Sequence, residues 1–204
     1  MISPRSLTIL LLSVIVACSS NCFQAADAQQ MSDIFLAARN DEPEGIEEVL
    51  MRLDADINEV GPGGQTPLLF SVLSGRYKAA EYLVKAGADV TATEKDGYNV
   101  LHAAGFQGRD DILSMLLDNP TIKGLVNEAH KDGYYPIHRA CWGKEQRHTN
   151  TIRVFVEKGG VDIDVKGVSG KALGKTCESA TRNQGTLELI AELRKKKSAE
   201  AELQ

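Results

Sequence analysis

From about residue 33 onward, apolar side chains recur at helical spacing in short blocks separated by turn-forming residues. Ile46, Val49 and Leu50 form one such stripe, and Ala79, Tyr82 and Leu83 the next. Ile112, Met115 and Leu116, then Ile152 and Phe155, then Leu187 and Ile190 continue the series. Each stripe predicts an amphipathic helix with one buried face. A second, glycine-led block precedes each later stripe. Gly64-Gln65-Thr66-Pro67-Leu68-Leu69 aligns with Gly97-Tyr98-Asn99-Val100-Leu101-His102, 33 residues on. Gly133-Tyr134-Tyr135-Pro136-Ile137-His138 follows 36 later, and Gly174-Lys175-Thr176-Cys177 follows 41 later. Counting back 33 from Gly64 reaches Met31, ahead of Asp33-Ile34-Phe35-Leu36-Ala37-Ala38. Asp33, Thr66, Asn99 and Thr176 stand where helices begin and can accept a free backbone N–H. Pro67 and Pro136 fall at the first helical position, where a missing N–H costs nothing. Gly75, Gly108 and Gly185, eleven after their lead glycines, predict the stop of each first helix.

A period near 33 with a turn and two helices per unit resembles the ankyrin repeat, whose signature is T-P-L-H-x-A. The resemblance covers about Met31 to Lys197. It implies an all-α, ankyrin-type solenoid of about five helix-turn-helix units, over 31–63, 64–96, 97–132, 133–173 and 174–197. The two end units would act as polar caps. Between Asp33 and Glu59 nine acidic residues face only Arg39 and Arg52, a net −7 that suits a solvated cap. Arg194 to Lys197 places positive charge at the far helix end, and 198–204 reads as a flexible tail. The register is interrupted by insertions at 121–128 and 145–149, either binding loops or neutral drift.

Composition sharpens this picture. Among 204 residues there are five Phe, five Tyr and one Trp, too few for a bulky core but enough for a thin, aliphatic one. The net charge of −5 gives no footprint for nucleic acid. Residues 1–28 read as a secretory signal: Arg5, the apolar run Leu7 to Ala17, then Ala26-Asp27-Ala28. Cleavage anywhere from Cys18 to Ala28 fits, so the expected location is the secretory pathway or periplasm. Ile15-Val16-Ala17-Cys18 also resembles a lipobox, and membrane attachment would then follow from lipid at Cys18. The ankyrin-like domain would begin near residue 29.

Candidate chemistry is sparse. Gly170 to Thr176 mimics a phosphate loop but has one residue too few between its glycines. The resemblance implies that His102 and His138, five after their lead glycines, sit where a ring ties neighbouring turns together, while His130 and His148 fall in turns. No pair of histidines has zinc-site spacing. Cys141 and Cys177 lie eight and three residues after their lead glycines. If both first helices stack in one register, that offset exceeds disulfide reach and predicts two free thiols. There is no N-glycosylation sequon. The reading is therefore a non-enzyme without cofactor or metal.

The resemblance further implies that another protein docks on the concave face made by turns and first helices. One exposed position follows each lead glycine (Gln65, Tyr98, Tyr134, Lys175) and another lies nine after it (Leu73, Phe106, Trp142, Asn183). The expected partner-binding set is Leu73, Tyr98, Phe106, Tyr134, Arg139 and Trp142. Two readings of these rings stand: anchors for a partner, or stacking between repeats. The alternative function is a small exported stabiliser or inhibitor of one enzyme, binding through the inserted loops. A monomer is expected in either case.

Overall fold

The structure, a computed structural model, describes residues 32–52 and 54–202. The proposed signal, Cys18, Cys22 and the cleavage site lie outside the described residues. Five antiparallel-type helix pairs follow one another: α1 (Asp33–Asn40) with α2 (Pro43–Leu50), α3 (Pro67–Ser74) with α4 (Tyr77–Lys85), and α5 (Val100–Gln107) with α6 (Asp110–Leu116). After the short α7 (Pro120–Gly124) come α8 (Pro136–Cys141) with α9 (Gln146–Glu157), and α10 (Cys177–Ala180) with α11 (Gln184–Glu202). A 3₁₀ turn, Gly170–Ala172, precedes the last pair, and no strand is present among the described residues.

The lead glycines earn their place through the turn they close. Gly97 has φ +93 and donates to the carbonyl of Glu94, while Glu94 N–H donates to Tyr98. The same pair of bonds recurs with Gly64 and Gly133, both also at positive φ. A side chain there would be strained, so glycine is required. The first two turns deliver the chain to a side-chain-capped helix start: the Thr66 hydroxyl accepts from Leu69 N–H, and the Asn99 amide oxygen accepts from Leu101 and His102 N–H.

The core is a single file of aliphatic layers. Ile46, Ala79, Leu83, Ile112, Leu116, Ile152 and Phe155 from the second helices are all fully buried. Leu68, Leu69, Leu101 and Ile137 meet them from the first helices. Neither helix of a pair can bury its apolar face alone, so stability depends on neighbours.

Four expectations need correction. The cap of α1 is Ser32 rather than Asp33, and Ser32 makes no side-chain bond. Helix α1 stands 34 residues, not 33, ahead of α3, because the connection after α2 is two residues longer than its counterpart while α2 is one residue shorter than α4. Gly185 does not end a helix but lies in the first turn of α11. The first helix of the last unit stops at Ala180, where Thr181 turns extended and Asn183 accepts from Gly185 and Thr186 N–H, starting a new helix. Finally, α11 runs on to Glu202, into the segment expected to fray. Its Ala and Glu residues are good helix formers.

The insertions are structural. Residues 121–128 fold as α7 and its turn, burying Ile122 and Val126. Residues 145–149 form the start of α9, where Thr149 bonds the Thr186 hydroxyl at 2.9 Å.

Candidate functional site

Turns and first helices of the second to fourth pairs enclose a groove of about 370 Å³. Leu69 and Ala103 supply a buried floor, while Leu73 on α3, Phe106 on α5 and Trp142 at the end of α8 wall it. Tyr98 and His102 sit behind, and Gln65, Glu94 and Asp96 edge it on the turn side. Five of the six residues expected to bind a partner thus converge: Leu73, Tyr98, Phe106, Arg139 and Trp142. Tyr134 is the sixth. It packs edge-on to Trp142 at 4.9 Å, with its hydroxyl donating to the Lys171 carbonyl at 3.2 Å.

These residues divide into two kinds. Phe106 is 58% exposed and Trp142 38%, so large apolar surface faces solvent at the groove. Arg139 is only 4% exposed and does not offer its charge to a partner. Its guanidinium lies 4.7 Å from the centres of the Tyr98 and Trp142 rings and 5.4 Å from that of Tyr134. Its Nη2 donates to both Asp132 oxygens, at 2.9 and 2.7 Å. Arg139 is therefore an internal strut that fixes three rings, which corrects its expected role at the surface. Stacking between repeats occurs at Tyr98, while Phe106 and Trp142 keep exposed ring surface.

His130 and Asp132 complete the strut, and sequence reasoning missed both. The His130 ring stacks on Tyr98 at 4.1 Å, and its Nε2 donates to the Asp96 carbonyl at 2.8 Å. Its Nδ1 lies 3.3 Å from Arg139 Nη2. The signal was available as a repeated turn, Glu94-Lys95-Asp96-Gly97-Tyr98 against His130-Lys131-Asp132-Gly133-Tyr134. Burial works to raise the Asp132 carboxyl, but hydrogen bonds from Arg139, His130 and Tyr134 N–H prevail and hold it at about 2. His102 is driven down to about 4, first by burial and then by the nearby charge of Arg139 and His130. Its ring is neutral at physiological pH, and its Nε2 has no hydrogen-bond partner. His138 ties turns as expected, with Nε2 to the Val165 carbonyl at 3.1 Å. His148 lies in helix α9 rather than a turn, its Nε2 facing the Phe106 carbonyl at 3.3 Å.

The cysteines overturn the expectation of free thiols. Cys141 and Cys177 form a buried disulfide, with Cα atoms 5.3 Å apart. Two full-length first helices side by side would hold these residues apart. Instead α10 is a single turn, and its first residue is set against the last residue of α8. Asn183, expected late on a first helix, instead reaches back, its amide within 3.5 Å of the Gly143 and Glu145 carbonyls.

Among the described residues no three His, Cys, Asp or Glu side chains converge as a metal-ligand group. No described helix is long and apolar enough to cross a membrane.

Comparison with known proteins bears on the same region. The family described as "Ankyrin repeats (3 copies)" matches residues 34–124. The human Notch-regulated ankyrin repeat-containing protein is 35% identical over 94 residues, which is 44% of this chain and 82% of that protein. The Caenorhabditis elegans protein lin-12 is 28% identical over 117 residues, 57% of this chain. The Arabidopsis thaliana E3 ubiquitin-protein ligase KEG is 28% identical over 139 residues, 67% of this chain. In the last two cases the chain spans only 8% of the relative's length.

Proposed function

This chain belongs to the ankyrin-repeat family, and on that premise we propose that it is an exported, non-catalytic scaffold binding another protein through its concave groove. The observation that carries the reading is the exposure of Phe106 and Trp142 over an apolar floor. Large rings flanked by a rigid surround are the residue types that dominate protein–protein binding energy. Covering the part of each ring that is still exposed would contribute on the order of 1 kcal/mol. The Arg139 strut supports the same reading, because rings held in place lose little entropy on binding.

Export rests on the N-terminal segment as read from sequence, and the Cys141–Cys177 disulfide supports it, since such bonds persist in oxidising compartments. The scaffold acts as a monomer, without cofactor or metal, and associates with a membrane only if Cys18 carries lipid. The alternative, an inhibitor or stabiliser acting through inserted loops, is less favoured, because Ile122 and Val126 of 121–128 and His148 and Thr149 of 145–149 are buried and hold those segments in place.

The test is a Phe106→Ala, Trp142→Ala double variant used as bait for secreted or periplasmic proteins of the host. Specific capture by the parent should fall at least tenfold in the variant while the helical circular dichroism is unchanged. Equal capture by both proteins sinks the groove assignment. N-terminal sequencing of the chain recovered from its host checks export, with a start between Cys18 and residue 29 expected.

A further inference from the structure

We propose that the groove selects a partner segment carrying a bulky apolar side chain beside one or two lysines or arginines. This rests on the docking reading above and adds the chemistry of what docks. A volume of about 370 Å³ holds a few side chains, not a folded domain, so the occupant is an extended segment or loop. The charge of that segment follows from what lines the groove. Glu94 and Asp96 edge it, and neither takes part in any ion pair among the described residues. Glu94 accepts only a long bond, 3.4 Å, from Tyr98 N–H. The lining contains no lysine, and its one cation, Arg139, is buried and already neutralised by Asp132 at 2.7 Å.

Two open carboxylates beside an apolar floor favour a cationic flank and oppose an anionic one, which would have to be desolvated against like charge. The acidic cap from Asp33 to Glu59, at net −7, extends the same field past the second unit. A second copy of this chain is the competing occupant, because its exposed Leu173 lies two positions from both Lys171 and Lys175, and self-association is therefore one of the outcomes tested below.

The experiment pans a phage library of random peptides, about twelve residues long, on the disulfide-intact protein. Enriched peptides should share an aromatic or large aliphatic residue with Lys or Arg within two positions. A synthetic enriched peptide should bind the Glu94→Gln, Asp96→Asn variant on the order of tenfold more weakly in fluorescence anisotropy, and high salt should erase the difference. These substitutions keep the size and hydrogen-bonding capacity of the side chains, so the fold serves as its own control. Enrichment without basic residues, or equal affinity for the variant, overturns this inference and leaves the docking site intact. Peptides that bind the Phe106→Ala, Trp142→Ala variant as well as the parent overturn the docking site itself. A library with no enrichment, or self-association that Phe106→Ala abolishes, also overturns the proposal.

Discussion

The third and fourth helix pairs meet through first helices of eight and six residues, whereas the fourth and fifth meet where the first helix is cut to one turn and a few specific ties add to the packing of α11. Between α5 and α8 the backbones approach so closely that a Cβ on Gly105 would lie 2.6 Å from the Pro136 carbonyl oxygen. Arg139, His130 and Asp132 then fill the adjoining space between the turns with a paired, ring-clamped charge. Between α8 and α10 there is little helix to fit, because α10 is one turn long. The disulfide, the Asn183 amide and the Thr149–Thr186 bond take over. When a repeat loses helical surface, its place in the array depends on a few specific ties as well as on many weak contacts.

The largest test of this contrast removes the covalent tie. Cys141→Ala with Cys177→Ala should cost about 3–4 kcal/mol, the loop-closure value for a separation of 36. Hydrogen exchange should show α10 and α11 opening first, with the third and fourth pairs still protected. Simultaneous loss of protection in all pairs would show that the last unit is no special case.

Acid should act on the other side of the comparison. The folded state holds His102 near 4, below its ordinary value of 6.5, so the unfolded chain takes up the proton first as pH falls. Stability is therefore complete above about pH 6.5 and declines toward pH 4, by an amount on the order of 2–3 kcal/mol. His102→Gln should reduce the slope of urea-unfolding free energies across that window, leaving the part due to His138, which burial also holds below its ordinary value. Asp132 adds no pH dependence there, since its held-down carboxyl loses its contribution only as pH drops from about 4 toward 2.

Gly105→Ala asks whether surface fit is as strict as the geometry implies. The added methyl group meets backbone that cannot swing away, and a loss of about 1–3 kcal/mol in the urea-unfolding free energy is expected. Gly124→Ala, with open space around it, is the control. The smallest effect compares two helix caps. Asn99→Ala should cost about 1 kcal/mol, since Asn99 caps an eight-residue helix, while Thr176→Ala should cost about half as much because the neighbouring disulfide already holds α10. A reversed order in thermal melts would argue against that sharing of roles.

The five pairs were legible because lead glycines, caps and apolar stripes are local signals. Gly97 needs its positive φ, and Asn99 caps its helix, whatever the neighbours do. The convergence of Leu73, Phe106 and Trp142 followed from counting along equal units. What failed was counting across unequal ones. The offset between Cys141 and Cys177 was computed for helices of equal length, and nothing local announces that Thr181 and Asn183 end one helix to begin another. The burial of Arg139 was hidden for a different reason: its partners His130 and Asp132 come from the preceding turn, and a side chain's exposure depends on what neighbouring elements lay over it.

The disulfide has one more consequence, mechanical rather than thermodynamic. It joins residue 141 directly to residue 177, so tension applied at the two chain ends bypasses everything between them. Helix α9 and the Gly-rich loop before α10 would carry none of that force until the bond is reduced. A fully stretched oxidised chain would stop short of the reduced one by about 120 Å, the length of 36 extended residues.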